Sequence, residues 1–126
     1  MNSFIAWVGG KHLLAKSIVD LMPAHQSYVE VFGGAGWVLF KKSPKISNVE
    51  VYNDLNTDLV NLFRVVRNNL EEFCRRQYFL LASRAEYQTF QNSYRDGQFK
   101  NDIDRAIAFY YLLRTSFGAT IFGGYA

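Results

Sequence analysis

The sequence predicts an α/β fold in which one β–α–β unit precedes a mainly helical segment. Glycines and short β-branched runs are concentrated in residues 1–55, whereas residues 56–126 repeat their apolar positions with a helical period. A glycine run also follows the first predicted strand, and an acid follows the second. We therefore expect two parts, 1–55 and 56–126.

The composition narrows the class of protein. The chain has 126 residues, of which 49% are hydrophobic and 20% charged, as in an ordinary globular domain. A single cysteine, Cys74, excludes an intrachain disulfide and argues against a zinc site, and no metal is implied. No apolar run has the length of a membrane span and no secretory signal is present, so we expect a cytoplasmic protein. The net charge of +3 permits nucleic-acid binding without arguing for it.

The first part contains the predicted β–α–β unit. An apolar run at residues 4–8 leads through Gly9-Gly10-Lys11 into a helix that Pro23 ends. A strand at residues 27–32, a helix at 37–42 and a second strand at 48–53 follow. The first helix places four apolar residues on one face: Leu14, Ile18, Leu21 and Met22.

The spacing of apolar residues in the second part predicts helices. One long amphipathic helix is predicted from Asn56 to Phe73, and Ser83-Arg84-Ala85-Glu86 has the spacing of a capping box. Asn101 or Asp102 caps the last helix, and residues 116–126 form a loop or the start of a hairpin.

The central candidate site combines the segment Glu30-Val31-Phe32-Gly33-Gly34-Ala35-Gly36 with Asp54. Glycines allow a tight turn and close approach of a ligand to the main chain. An acid at the end of the next strand lies beside that turn, where it accepts hydrogen bonds from both ribose hydroxyls of an adenosine. Asp54 stands 18 residues after Gly36, as one β–α–β unit requires.

Two ligand classes use this geometry, dinucleotides and S-adenosylmethionine (SAM). Leu39 stands where the dinucleotide pattern needs a small residue, which favours SAM. A glycine turn that binds nothing stays an alternative. In Trp7-Val8-Gly9-Gly10-Lys11, the indole suits an adenine or methionyl face and the ammonium group suits a carboxylate. Taken alone, that segment is better explained by a core tryptophan and a surface lysine.

Three segments, in their order and spacing, resemble the Dam-type (D12 class) adenine-N6 DNA methyltransferases. Residues 4–11 resemble the opening motif of that family, residues 28–36 its glycine motif and residues 52–59 its acidic motif. Val31 departs from the family, which usually has proline there. A looser similarity at residues 111–118 corresponds to the segment that leads into the DNA-contacting hairpin.

The resemblance implies a Rossmann-like, SAM-dependent methyltransferase that acts on adenine in double-stranded DNA. Measured against that family, the β–α–β unit of this sequence forms an incomplete sheet. It implies that the second part is a target-recognition insertion, in which Arg114, Thr115 and Ser116 approach DNA. It also implies a set of cofactor-binding residues, with Asp54 on the ribose and the backbone of the glycine segment near the methionine: Trp7, Lys11, Phe32, Gly33, Gly34, Gly36 and Asp54.

The family's catalytic motif, Asp-Pro-Pro-Tyr or a variant, is not in the sequence, because Pro23 and Pro44 are the only prolines. We therefore expect the N-terminal part of a longer enzyme, without catalytic residues and inactive alone. One alternative is a non-catalytic SAM- or DNA-binding subunit. Another is a dinucleotide-binding domain, which Leu39 and the Trp7–Lys11 segment disfavour.

Several other residues have plain structural interpretations. Cys74 is expected to be a buried, inert thiol. Lys41-Lys42 and Arg75-Arg76 are expected to be solvated pairs on helices. The aromatic residues Tyr87, Phe90 and Tyr94 are expected in the core.

Overall fold

The computed structural model describes every residue from Met1 to Ala126. It confirms the predicted mixed α/β class, with a two-stranded parallel sheet, six α-helices and a short 3-10 turn. The chain divides into two compact units, Met1–Asn56 (unit 1) and Thr57–Ala126 (unit 2). None of the helices is both long enough and apolar enough to cross a lipid bilayer.

Unit 1 consists of α1 (Ala15–Asp20), β1 (Ser27–Glu30), α2 (Trp37–Lys41) and β2 (Val49–Tyr52). The two strands run parallel, with Val29 opposite Val51, and α2 makes the crossover between them. A parallel pair requires such a crossover, since a tight hairpin returns the chain in the opposite direction. The ends of β1 and β2 therefore lie at the same edge of the sheet.

The two faces of this sheet differ. One carries Tyr28, Glu30 and Tyr52, which are half-buried or buried. The other carries valines that stay between 42% and 53% exposed: Val29, Val31, Val49 and Val51. The predicted apolar face of α1 is also wrong in part, because Leu14 and Leu21 are exposed and Ala15 is the residue that α1 buries.

The prediction that Lys42 is solvated is wrong. Since α2 ends at Lys41, the chain turns at Lys42 and its side chain points towards β2, with no exposed area. The ammonium group forms an ion pair with Glu50, donates to Ser47 Oγ at 2.7 Å and lies 5.3 Å from the centre of the Tyr28 ring. Lys42 therefore joins α2 to β2.

Unit 2 contains α3 (Thr57–Asn68), α4 (Leu70–Tyr78), α5 (Arg84–Asp96) and α6 (Asp102–Thr115). The single long helix predicted from Asn56 to Phe73 is wrong, because the backbone of Asn69 leaves the helical region and separates α3 from α4. The other three helices pack on α6, which is buried on most sides. This explains why α6 is apolar almost all round, rather than amphipathic.

Local signals locate the starts of the last two long helices. Ser83 Oγ accepts a hydrogen bond from Glu86 N at 3.1 Å and caps α5 as predicted. Of the two candidate caps for α6, Asn101 is the cap, because its side chain accepts from Asp104 N at 2.9 Å. Each cap satisfies an N–H group that has no partner within its own helix.

The aromatic core of unit 2 is confirmed. Tyr87 and Tyr111 are buried, and Phe90 and Tyr94 pack against the same cluster. Cys74 is exposed, contrary to prediction. The buried residue of α4 is its neighbour Phe73, which lies about 100° away round the helix.

The last residues fold back on the end of α6. Ser116 forms an antiparallel bridge with Tyr125, and Phe117 N donates to Gly124 O at 2.8 Å. A 3-10 turn, Phe117–Ala119, begins this return. The predicted loop or incipient hairpin is therefore a short antiparallel return of the chain, here called the tail (residues 116–126).

Candidate ligand-binding site

A cavity of about 210 Å³ opens in unit 1 at the end of the sheet where β1 and β2 stop. Six of the seven predicted cofactor-binding residues line it, while Gly36 lies outside and begins the turn into α2. Four further residues line the cavity that are not among the predicted cofactor-binding residues. The lining residues are Trp7, Val8, Gly9, Gly10, Lys11, Phe32, Gly33, Gly34, Trp37 and Asp54.

Asp54 fixes the glycine turn from the end of β2. Its Oδ2 accepts from Gly34 N at 2.8 Å, and its Oδ1 accepts from Asn56 N at 2.8 Å. An ionised carboxylate has about four acceptor positions, so each oxygen keeps one for a further donor. The contacts in the structure are therefore compatible with the predicted contact to ribose hydroxyls.

Tyr52 holds the same turn from the other side. Its hydroxyl donates to Gly34 O at 2.7 Å, so that both polar backbone groups of Gly34 are bound by residues at the end of β2. Burial, together with the nearby carboxylates of Asp54 and Glu30, raises the pKa of Tyr52 above its ordinary value. The hydroxyl consequently remains a donor well into alkaline solution.

Gly33 and Gly34 are each required in the turn for a different structural reason. A Cβ on Gly33 would lie 2.2 Å from the Tyr52 ring, so Gly33 makes room for a protein side chain rather than for a ligand. Gly34 adopts φ +50°, where other residues are strained, and a Cβ there would approach the Trp7 indole to 3.1 Å. Gly34 is therefore the glycine whose absent side chain leaves the cavity beside Trp7 open.

Lys11 brings a positive charge to the cavity. Its Nζ donates to Phe32 O at 2.9 Å and lies 3.8 Å from Glu30 Oε1, while 40% of its side chain remains exposed. An ammonium group has three donors, and those not used by Phe32 O are available to an anionic group in the cavity. The Phe32 side chain itself is 79% exposed, so this residue contributes through its carbonyl.

Glu30 begins the candidate glycine segment, and the structure gives it a supporting role that the sequence did not predict. It is 5% exposed, and its Oε2 accepts from the Tyr28 hydroxyl at 2.6 Å and from Leu39 N at 3.0 Å. Gly36 has no side chain with which to cap α2, so Glu30 supplies the cap from β1. One buried carboxylate thus fixes both α2 and, through its charge, Lys11. The sequence signal for this role is an acid that stands shortly before a glycine turn.

The donor and acceptor set of the cavity suits part of a nucleoside linked to an amino acid. Lys11 suits a carboxylate, Asp54 suits a diol and Trp7 offers an aromatic ring. The volume of about 210 Å³ is below the range of roughly 300–1,000 Å³ for pockets that enclose small molecules. The residues present therefore fit SAM chemically, and a cavity of this size would enclose part of such a molecule.

The three predicted DNA-contacting residues differ in accessibility. Arg114 is exposed in the last turn of α6. Thr115 Oγ1 donates to Tyr111 O at 2.8 Å, and Ser116 is buried, with Oγ accepting from Thr120 N at 3.0 Å. Both hydroxyls are thus engaged within unit 2, so Arg114 is the member of this trio that is open to a partner.

A parallel β–α–β unit with a glycine turn after its first strand and an acid after its second has the organisation of nucleotide-binding α/β proteins. The chain belongs to a particular family of such proteins, the D12 class N6 adenine-specific DNA methyltransferases, whose profile matches residues 7–121. The resemblance carried by the three sequence motifs is thereby confirmed.

Curated relatives carry the corresponding names. The type II methyltransferase M1.LlaDCHI of Lactococcus lactis subsp. cremoris is 30% identical over 93% of this chain and 42% of its own length. DNA adenine methylases of Serratia marcescens and Haemophilus influenzae are 30% and 31% identical over 90% of this chain, covering 42% and 40% of their own lengths. The chain thus spans about two-fifths of the length of these relatives.

Proposed function

We propose that unit 1 binds SAM, that unit 2 contacts double-stranded DNA, and that together they form the N-terminal part of an enzyme that methylates adenine N6. The observation that carries the proposal is the cavity at which Trp7, Lys11, Gly34 and Asp54 meet. Membership of the D12 family supports the methyl-transfer chemistry and favours SAM over a dinucleotide.

In this proposal each group of the cavity meets one part of the cofactor. Lys11 binds the carboxylate of the methionine moiety, because its ammonium group keeps donors beyond the one used by Phe32 O. Asp54 accepts from the ribose hydroxyls with the acceptor positions that Gly34 and Asn56 leave. Trp7 lies against an apolar face of the ligand. Bound there, SAM supplies an electrophilic methyl group.

We infer that the 126 residues do not transfer that methyl group by themselves. The family's Asp-Pro-Pro-Tyr motif is not among them, since Pro23 and Pro44 are separated. The target nitrogen must also be taken out of the base stack, which needs a pocket for the extruded adenine. Relatives more than twice as long as this chain support the view that other residues of a longer protein supply these parts.

The test is calorimetric titration of this chain with SAM, alongside two pairs of variants. Lys11→Met removes the proposed carboxylate partner, and Lys45→Met is its matched control, because Lys45 is exposed and does not line the cavity. Asp54→Asn keeps one acceptor oxygen for the glycine turn, whereas Asp54→Ala keeps none. Circular dichroism verifies that each variant is folded.

We expect Lys11→Met and Asp54→Asn each to weaken SAM binding at least about tenfold, which corresponds to roughly 1.4 kcal/mol for one charge-assisted contact. Lys45→Met should bind as the unaltered chain does. Equal affinity of the Lys11 and Lys45 variants would disprove the assigned contact. A folded chain that binds NAD but not SAM would disprove the proposed cofactor.

A further inference from the structure

Helix α5 presents a polar stripe to solvent. Arg84, Gln88 and Arg95 are exposed, and at 3.6 residues per turn they lie within about 40° of one another round the helix axis. We call these three residues the α5 stripe. The two carboxylates of α5, Glu86 and Asp96, lie about 80° or more from each member. The stripe therefore carries positive charge without negative charge.

The two arginines of the stripe have no acidic partner. Elsewhere in unit 2, Arg75, Arg76 and Arg105 form ion pairs with Glu72, Asp104 and Asp58 respectively, whereas Arg64, Arg67 and Arg114, like the stripe, form none. Arg84 instead lies 5.8 Å from the centre of the Tyr125 ring, and Arg95 has no ion pair. Arg84 is also in the first turn of α5, where the helix dipole disfavours a cation. Its position is thus not explained by helix stability.

The stripe borders the tail, to which α5 is bound. Gln91 Nε2 donates to Ile121 O and Gly123 O, each at 3.2 Å, and the Tyr87 hydroxyl also donates to Gly123 O. Gln91 lies about 20° from Arg84 round the helix. Since the tail starts directly after Arg114 and Thr115, the stripe adjoins the segment that the family resemblance directs towards DNA.

We propose that α5 lies against duplex DNA, with Arg84 and Arg95 contacting phosphates and Gln88 between them. Eleven residues at 1.5 Å each separate the arginines by about 16 Å along the helix. The major groove is about 12 Å wide, so two long side chains at this spacing reach the strands on either side of it. The proposal rests on the proposed DNA partner and adds the surface that contacts it.

The test is fluorescence anisotropy of a labelled mixed-sequence duplex titrated with this chain over a range of salt concentrations. The variants are Arg84→Ala, Arg95→Ala and Arg95→Lys. The matched control is Arg67→Ala on α3, an exposed arginine whose hydrogen bond is to its neighbour Asn68. Arg95→Ala tests the proposal independently of Arg84, because Arg95 has no contact with the tail ring whose loss could disturb folding.

Each alanine variant of the stripe should make the plot of log affinity against log salt shallower by about 0.9, the value for one phosphate contact. Between about 50 and 200 mM salt, affinity should then fall about 3.5-fold less than for the unaltered chain. Arg95→Lys should keep the slope, because it keeps the charge, and Arg67→Ala should also keep it. The change should be the same for duplexes of different sequence, since phosphate contacts do not read bases.

Unchanged slopes for both alanine variants, in a chain that binds DNA, would overturn the α5 interface and leave the proposed function standing. An equal change in Arg67→Ala would also overturn it, because general charge attraction would then explain the binding. A folded chain that binds SAM but no DNA at any salt concentration would refute both the DNA partner and this interface. A folded chain that binds an acidic protein but not DNA would likewise refute both the DNA partner and this interface.

Discussion

Removing the Glu30 carboxylate should destabilise unit 1 and loosen its cavity together. Glu30 accepts from the Tyr28 hydroxyl and from Leu39 N, and it lies 3.8 Å from Lys11 Nζ. Glu30→Ala leaves Leu39 N uncapped at the start of α2 and Lys11 without its acidic neighbour. Glu30→Gln keeps an acceptor oxygen but removes the charge.

The magnitude follows from the two hydrogen bonds. A hydrogen bond to a charged group contributes roughly 1.5–3 kcal/mol, and Tyr28 is only half-buried, so water replaces part of its loss. We expect Glu30→Ala to lower the free energy of unfolding by about 3 kcal/mol. Glu30→Gln should lower it by about 1 kcal/mol, because it loses the attraction to the α2 dipole and to a partly exposed, screened Lys11.

The assay is urea denaturation followed by circular dichroism, with Asp20→Ala as the matched control. Asp20 pairs with Lys16 on exposed α1, an i,i+4 contact that contributes about 0.5 kcal/mol or less. The pKa of Tyr28, which burial and then Glu30 raise, should fall in both Glu30 variants when titrated by absorbance. If Glu30→Ala unfolds at the same urea concentration as Asp20→Ala, the capping argument is wrong.

Three further predictions concern stability. Lys42→Met should lower the free energy of unfolding by about 2 kcal/mol, which is less than the loss for a fully buried ion pair because Glu50 is partly exposed. Adding Glu50→Gln should recover part of the loss, and an unchanged free energy of unfolding for Lys42→Met in urea denaturation would contradict this prediction. Gly33→Ala should cost about 1–3 kcal/mol, since its Cβ would overlap the Tyr52 ring, and an unchanged melting temperature would show that the ring moves freely. Stability should fall above about pH 10, because burial first, and then Asp58, raises the folded-state pKa of Tyr94 and the unfolded chain loses its proton earlier. Tyr94 contributes at most about 1.4 kcal/mol per pH unit to this slope, and Tyr28 and Tyr52, whose pKa values are also raised, contribute in the same direction. Tyr94→Phe should remove its share of the slope in melts taken across that range.

Much of the candidate site could be predicted because its parts are local. The glycine turn and Asp54 follow consecutive strands of one β–α–β unit, and parallel pairing brings the ends of those strands to one edge. Trp7 and Lys11 could be placed there through motif order, a family resemblance rather than a physical derivation. Gly36 does not line the cavity, since spacing alone does not decide which backbone groups of a turn face it, and its contact with a cofactor stays a prediction.

The helical unit shows the limits of periodicity. The caps Ser83 and Asn101 were predictable, because a side-chain oxygen and the N–H group three residues later are fixed by sequence distance. The break at Asn69 and the exposure of Cys74 were not, since an apolar pattern continues across both positions. Which side of α4 meets α6 is decided by the packing of α6 among three helices.

The sequence by itself determined the fold class, the order of the elements in unit 1, the glycine turn with its acid and, by resemblance, the family. These depend on residue type and on spacing over one or two elements. Only the tertiary structure decided the roles of Glu30 and Lys42, two charged residues whose partners are set by how α2 packs on the strands. A buried charge is stable only where the fold supplies its partner, and sequence distance does not specify that partner.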